Sequence, residues 1–220
     1  MSALTELVVR WQRGWGVARG LDPARDVGGA LRVAGLHVAR DIEYVITDSD
    51  RIGPLVSLAR TENGVIWLSV ASHDPDRTVV DLEAAGLTIL KRTEMLMAAD
   101  LLALPRPPAT VDGYTLTVEA AGDVITVLAR DTDGLLGARG TVGCSGADAV
   151  ADRIETMPGH RRRGLGSAVM GALSSAAVAR GSVHGLLIAS EEGQLLYTRL
   201  GWRPVAEVVI ASFAENGFVG

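Results

Sequence analysis

The chain has 220 residues, enough for one large domain or two small ones, and its 48% hydrophobic content allows a sizeable core and excludes a disordered chain. A formal charge of -5 argues against a general nucleic-acid binder, and a single cysteine, Cys144, excludes an internal disulfide or a cysteine-rich zinc site. No apolar run reaches the roughly 18 residues of a membrane span, and the N-terminus lacks the apolar core of a signal peptide, so a soluble cytoplasmic protein with no membrane or nucleic-acid partner is expected.

In the first half, Leu4, Leu7, Val8, Trp11 and Trp15 recur at spacings of three and four, which predicts an amphipathic helix over 4–19. A loop rich in Gly, Asp and Pro follows over 22–29. Strands are predicted over 31–38 and 42–47, joined by a short turn. Ser49 or Asp50 could cap a helix over 51–60. Asn63-Gly64 signals a turn before a strand over 65–71. Asp74-Pro75 opens a helix that Gly86 ends, and 87–97 returns to strand, in one or two pieces. Helices alternating with strands imply an α/β layer. The stretch Leu104-Pro105-Arg106-Pro107-Pro108 cannot continue a helix or a central strand, so the boundary is placed at 105–108, between an N-terminal half over 1–104 and a domain over 109–220.

In the second half, runs over 114–120, 123–130, 136–144 and 149–157 read as an antiparallel meander. Cys144 falls in the third run and reads as a small buried apolar residue. The sequence His160-Arg161-Arg162-Arg163-Gly164-Leu165-Gly166-Ser167 then turns into a helix over 167–180 whose Leu165, Val169, Leu173 and Ala177 form one stripe. A strand that turns through glycines into a helix leaves the first helical amides unpaired, at the positive end of the helix dipole. With three arginines beside it, this is an anion site suited to a diphosphate. A buried strand over 183–189, a short helix over 191–200 ended by Gly201, and a last strand over 205–213 complete the chain.

This order of four strands, helix, strand, helix, strand resembles the GNAT acetyltransferases, a mixed and largely antiparallel sheet flanked by helices in the α/β (α+β) class. Their turn motif, Gln/Arg-x-x-Gly-x-Gly/Ala, reads here Arg161-Arg162-Arg163-Gly164-Leu165-Gly166. A later block, Ser190-Glu191-Glu192-Gly193-Gln194-Leu195-Leu196-Tyr197-Thr198-Arg199-Leu200-Gly201-Trp202, resembles the family pattern Asn-x-x-Ala-x-x-x-Tyr-x-x-x-Gly-Phe. Tyr197 and Gly201 match, while Ser190, Gly193 and Trp202 depart from it. The resemblance is concentrated over 149–204.

What the resemblance implies is acetyl-CoA as co-substrate, without a metal. Backbone around Arg161, Arg162, Arg163, Gly164, Leu165, Gly166 and Ser167 would hold its diphosphate. Thr156 and Met157 on the fourth strand, and Ile188, Ala189 and Ser190 near the fifth, would hold the pantetheine arm where those strands splay. Tyr197 would be the general acid for the leaving thiolate. The general base is Glu155 or Asp152. Their odd separation puts them on opposite faces of a regular strand, a count that a bulge would upset. His160 reads as a cap of the turn rather than a phosphate ligand, His184 as a strand start, and His37 and His73 as surface residues.

The first half repeats the order strand, helix, strand, helix, Gly, strand, and its Leu82-Glu83-Ala84-Ala85-Gly86-Leu87 echoes the later block at 197–202 without that block's tyrosine and without a preceding arginine-glycine turn. It reads as a degenerate GNAT-like copy that binds no acetyl-CoA and covers the acceptor site. The expected activity is direct N-acetyl transfer to a primary amine of a small molecule or a protein, by a monomer or homodimer. Two alternatives remain: a non-catalytic acyl-CoA sensor or interaction module on the same fold, and an enzyme using another acyl donor.

Overall fold

A computed structural model describes residues 2–105 and 110–213. The chain begins with α1 (Ala3–Arg19), β1 (Arg25–Asp26), β2 (Ala30–Val38) and β3 (Arg40–Ile46). It continues through a 3₁₀ turn, Ser49–Arg51, into α2 (Ile52–Ala59), then β4 (Ile66–Ser72), α3 (Pro75–Ala84) and β5 (Leu87–Asp100). Next come β6 (Tyr114–Ala121), β7 (Val124–Asp131), β8 (Leu136–Ser145) and β9 (Asp148–Thr156). A second 3₁₀ turn, Pro158–His160, leads to α4 (Leu165–Ala179), β10 (His184–Ala189), α5 (Glu191–Arg199) and β11 (Arg203–Phe213).

Two compact units form. Of the described residues, 2–12, 21–96 and 205–213 make the first, and 13–20, 97–105 and 110–204 the second. The division therefore differs from the one expected at 105–108. The chain changes unit between Leu96 and Met97, inside β5, and again between Pro204 and Val205. Proline marks where a strand must stop, but unit membership follows strand pairing, which local composition does not encode. Of the expected linker, Pro105 is described, and Arg106, Pro107 and Pro108 lie outside the described residues.

In the first unit β2 and β3 are antiparallel, β3 and β4 are parallel, and β11 lies antiparallel to β4 from Glu207↔Ser72 to Ser212↔Trp67. The core collects Tyr44, Leu68, Leu82, Ile52, Leu55 and Val209. Asp74 caps α3 by accepting from the Arg77 amide at 3.1 Å, and Pro75 occupies the first turn, where a missing N–H costs nothing. Asp48, not Ser49 or Asp50, caps the first 3₁₀ turn, and α2 starts without a side-chain cap. Tyr44 is fully buried, and its hydroxyl is satisfied by donating to Glu62 at 2.9 Å. The Arg32 guanidinium bonded to Glu62 holds that carboxyl below its ordinary range, while burial pushes the Tyr44 phenol up.

In the second unit β6, β7, β8 and β9 form the expected meander, and β10 joins β9 in parallel. The stripe Leu165, Val169, Leu173 and Ala177 buries α4 on one face of this sheet. A Cβ added at Gly140 would meet Ile154, Leu173 and Val169 there. Gly143, three residues on in β8, faces the opposite side, where the end of α1 packs. A Cβ at Gly143 would fall 2.1 Å from the Gly14 carbonyl oxygen, and one at Gly14 would fall 2.3 Å from Val150 Cγ2. Backbone cannot yield as a side chain can, so Gly143→Ala is expected to destabilise the fold by about 3 kcal/mol, read as a lowered midpoint in denaturant unfolding. Cys144 is buried and free, as its sequence context suggested. His73 is exposed, and the side chain of His37 lies outside the described residues. No helix among the described residues is long and apolar enough to cross a membrane.

Candidate functional site

The site begins where two parallel strands part. β10 pairs with β9 at His184↔Asp148, Gly185↔Ala149 and Leu186↔Val150. Beyond those pairs β9 continues to Thr156 and β10 to Ala189 without bonding to each other. The cause lies in β9. Opposite β8 its register steps from Thr141↔Asp152 to Arg139↔Glu155, so one extra residue sits on β9, and Arg153 takes a left-handed φ of 54°. Such a bulge bends and twists its strand. It also changes the facing of the two carboxylates. Thr141 and Arg139 share a face of β8, so Asp152 and Glu155 opposite them share one too, unlike the opposite faces of a regular strand.

The backbone of the opening is partly committed. Thr156 sits opposite Ala138, while the Met157 amide donates to Gly137 at 2.9 Å. In an antiparallel pair this alternation turns the N–H and C=O of Thr156 away from β8, toward the open side. The Thr156 carbonyl there receives a long bond from Arg161 Nε, 3.4 Å. The Met157 amide is held by Gly137, and its carbonyl accepts from the His160 amide at 2.9 Å, which leaves that carbonyl one further lone pair. At the end of β10, Ile188 is half-buried and Ala189 buried. Ser190 serves the local fold, since its hydroxyl accepts from the Gly193 amide at 3.3 Å and caps α5.

The arginine-glycine turn closes one end. Arg162 has a φ of 64° and Gly164 a φ of 80°, and Gly164 is the N-cap of α4 without a side-chain cap. The helix begins at Leu165, two residues earlier than its periodicity suggested. Its first bond runs from the Ala168 amide to the Gly164 carbonyl at 3.1 Å. The amides of Gly164, Leu165, Gly166 and Ser167 therefore have no acceptor among the described residues. Arg161, Arg162 and Arg163 are exposed around them. Oriented amides, a helix dipole and three cations form an anion cradle next to the opening. Gly166 lets α5 approach, since a Cβ there would lie 3.1 Å from Leu196 Cδ2.

Tyr197, on α5, is buried against Trp202, with ring centroids 6.2 Å apart. Its hydroxyl has no hydrogen-bond partner among the described residues. Burial first, and the charge of Asp152 second, push its pKa up to about 12. Neither candidate base is uncommitted. Asp152 is held by Arg19 through Nε at 2.8 Å and Nη2 at 3.1 Å, with Arg153 Nε 3.8 Å away. Glu155 pairs with Arg139 at 2.8 Å.

Sequence reasoning missed Arg19, which reaches Asp152 from the end of α1 across 133 positions and carries no motif signal. It also missed Tyr114, which bonds His160 and Arg163. Among the described residues no three His, Cys, Asp or Glu side chains come together as a metal site.

The first unit has corresponding elements without the opening. β3 and β4 pair at five consecutive positions, from Ile42↔Ile66 to Ile46↔Val70, the last residue of β3. The turn that follows β3 carries Asp48 and Asp50 where the second unit has arginines. α3 has no tyrosine.

No family model and no curated protein matches the chain. Solved structures do. A GCN5-related N-acetyltransferase from Kribbella flavida superposes with a TM-score of 0.73 at 17% identity, over 97% of this chain and 96% of that one. A GCN5-related N-acetyltransferase from Sphaerobacter thermophilus gives 0.60 at 16%, over 96% and 91%. A tandem GNAT protein from the clavulanic acid biosynthesis pathway gives 0.57 at 13%, over 98% and 96%. Identities this low speak for architecture alone, and with a parted parallel strand pair and an arginine-glycine turn in place they establish that this chain has the GNAT fold along nearly its whole length.

Proposed function

We propose that the protein is an acetyl-CoA-dependent N-acetyltransferase that passes an acetyl group directly to a primary amine of a small molecule or a protein. The observation that carries this reading is the parting of β9 and β10 after Leu186, beside four unpaired helix amides. The opening suits an extended arm that bonds to strand edges, as Thr156 would allow, and the amides suit its diphosphate. The first unit, zipped along β3 and β4 and acidic at its turn, serves as a degenerate copy that binds no acetyl-CoA. One of the similar structures is a tandem GNAT protein, which supports reading this chain as two copies.

In the reaction the neutral amine attacks the thioester carbonyl, a C–N bond forms, the C–S bond breaks, and the amine's proton leaves while the sulfur gains one. Holding the two reactants together supplies much of the rate. Tyr197 acts on the sulfur. With a pKa near 12 it stays protonated at neutral pH. An ordinary thiol lies near 8.5, so the phenol serves the leaving sulfur chiefly as a hydrogen-bond donor, and gives up its proton only as burial raises the thiolate's own basicity.

The arginine partners of Asp152 and Glu155 favour one second reading, an acyl-CoA sensor without turnover, because no carboxylate at the bulge is free to take the amine's proton. Incubation with acetyl-CoA and an amine panel, read by release of free thiol, decides between them. Thiol release dependent on one class of amine is the expected result. Tight acetyl-CoA binding without release across the panel would favour the sensor.

A further inference from the structure

The turn that cradles the anion contains a residue in an unfavourable conformation. Arg162 sits at a φ of 64°, a region that costs a non-glycine residue roughly 1–2 kcal/mol. Something must hold it there, and the side-chain contacts around it lead to one phenol. Arg163 Nη1 donates to Tyr114 Oη at 3.2 Å, and Tyr114 Oη lies 2.7 Å from His160 Nδ1. Arginine can only donate, so the Tyr114 proton remains available to Nδ1, and the clamp takes the arrangement in which Tyr114 donates there. The rings meet edge to face, with centroids 5.7 Å apart at 78°. The slot they share exists because residue 137 is glycine. A Cβ there would fall 2.7 Å from Tyr114 Cε1 and 3.3 Å from His160 Nδ1.

We propose that Tyr114 and His160 are positioning residues for the donor's diphosphate: a single hydroxyl clamps the turn on both sides of Arg162, at 160 and 163, and so holds the unpaired amides of Gly164 to Ser167 in their binding arrangement before the ligand arrives. This rests on the acetyl-CoA reading. Arg163 is accordingly spoken for by the clamp, which leaves the Arg162 guanidinium, without a partner among the described residues, as the freer cation of the three. A preformed turn binds more tightly because less order is lost on binding.

The test is Tyr114→Phe, which keeps the ring in its slot and removes only the hydroxyl. Calorimetry with acetyl-CoA is expected to show a Kd raised about five- to tenfold, the size of one or two lost hydrogen bonds. KM for acetyl-CoA should rise with it while kcat moves far less. In the free protein, ¹⁵N shifts should report the Nε2–H tautomer of His160 in the parent and a mixture in the variant, and backbone order parameters at 161–164 should fall. His160→Ala should match Tyr114→Phe, and His160→Asn, whose side-chain oxygen can accept from Tyr114, should recover part of the affinity. An unchanged Kd with unchanged tautomer and order parameters in Tyr114→Phe overturns the clamp. If the parent binds no acetyl-CoA, the functional reading fails instead, and the free-protein measurements still decide on the clamp. Should Tyr114→Phe not fold, the His160 pair decides it: equal affinities in His160→Ala and the parent overturn the proposal.

Discussion

Gly164→Glu is expected to weaken acetyl-CoA binding at least about a hundredfold while leaving a folded protein. Three effects add. The left-handed φ of 80° strains any side chain, by roughly 1–2 kcal/mol. A side chain at the N-cap shields the amides of Leu165 to Ser167 from close approach. A carboxylate there repels a diphosphate across a few ångströms. The expectation of a folded variant rests on geometry: a Cβ built at Gly164 meets nothing within 4 Å, so the substituent projects into open space rather than into the core. Gly164→Ala separates the contributions. It carries the strain without the charge, and should cost about 1 kcal/mol of stability with a loss of affinity about tenfold or less. Equilibrium calorimetry on both variants, each with an unfolding curve, reads the difference. Unchanged affinity in a folded Gly164→Glu would remove the diphosphate from this turn.

That position was legible because its signal is local. Glycines after a β-branched run, before a helical stripe, can be seen within ten residues, and the helix duly begins at Leu165 with Gly164 left-handed. The element order was legible for the same reason: periods of two and 3.6 are properties of short windows. What stayed hidden depends on distant residues. Nothing in the sequence of β11 says that it lies antiparallel to β4, more than a hundred residues earlier, so the proline cluster is the visible boundary while the two compact units meet in sequence inside β5. The bulge was foreseen as a complication but not at Arg153, since arginine carries no preference for a left-handed φ. Its consequences, Asp152 and Glu155 on one face and the Met157 amide bonded to Gly137, could not be read without it. The roles of Arg19, Tyr114 and His160 are set by side chains meeting across 133 and 46 positions, where no motif operates.

The same contrast separates the two halves chemically. Both carry a parallel strand pair with a helix between. In the first unit the pair is bonded to the end of β3, whereas in the second it is bonded for three positions and released by one inserted residue. A single bulge thus distinguishes a closed sheet from one with an accessible edge. The sequence marks the difference only indirectly, by Asp48 and Asp50 after one strand and Arg161 to Arg163 after the other.

Tyr197→Phe is expected to lower kcat about a hundredfold, with acetyl-CoA affinity within about threefold of the parent. The phenol is buried and has no hydrogen-bond partner among the described residues, so on the proposed reading its hydroxyl is the donor to the sulfur that gains charge as the C–S bond breaks. A bond that strengthens only as that charge develops stabilises the transition state and not the bound donor, which is why kcat and not Kd should move. The ring remains in the variant, so packing against Trp202 is preserved. The pH behaviour supplies a second, independent check. A solvent-exposed tyrosine ionises near pH 10, but burial and the neighbouring Asp152 hold this one protonated until about 12. The parent should therefore show no loss of kcat from Tyr197 ionisation between about pH 8 and pH 10, where a primary amine of pKa about 10 only gains neutral form as pH rises. The linked stability follows the same sign. Because the folded pKa lies above the unfolded one, the protonated phenol contributes stability that is complete below about pH 10 and is lost as pH rises toward 12, and Tyr197→Phe should show a shallower alkaline decline, the part due to Tyr44 remaining. A variant with unchanged kcat under conditions where chemistry limits turnover would take the sulfur-side role away from Tyr197 and leave positioning of the two substrates to carry the rate.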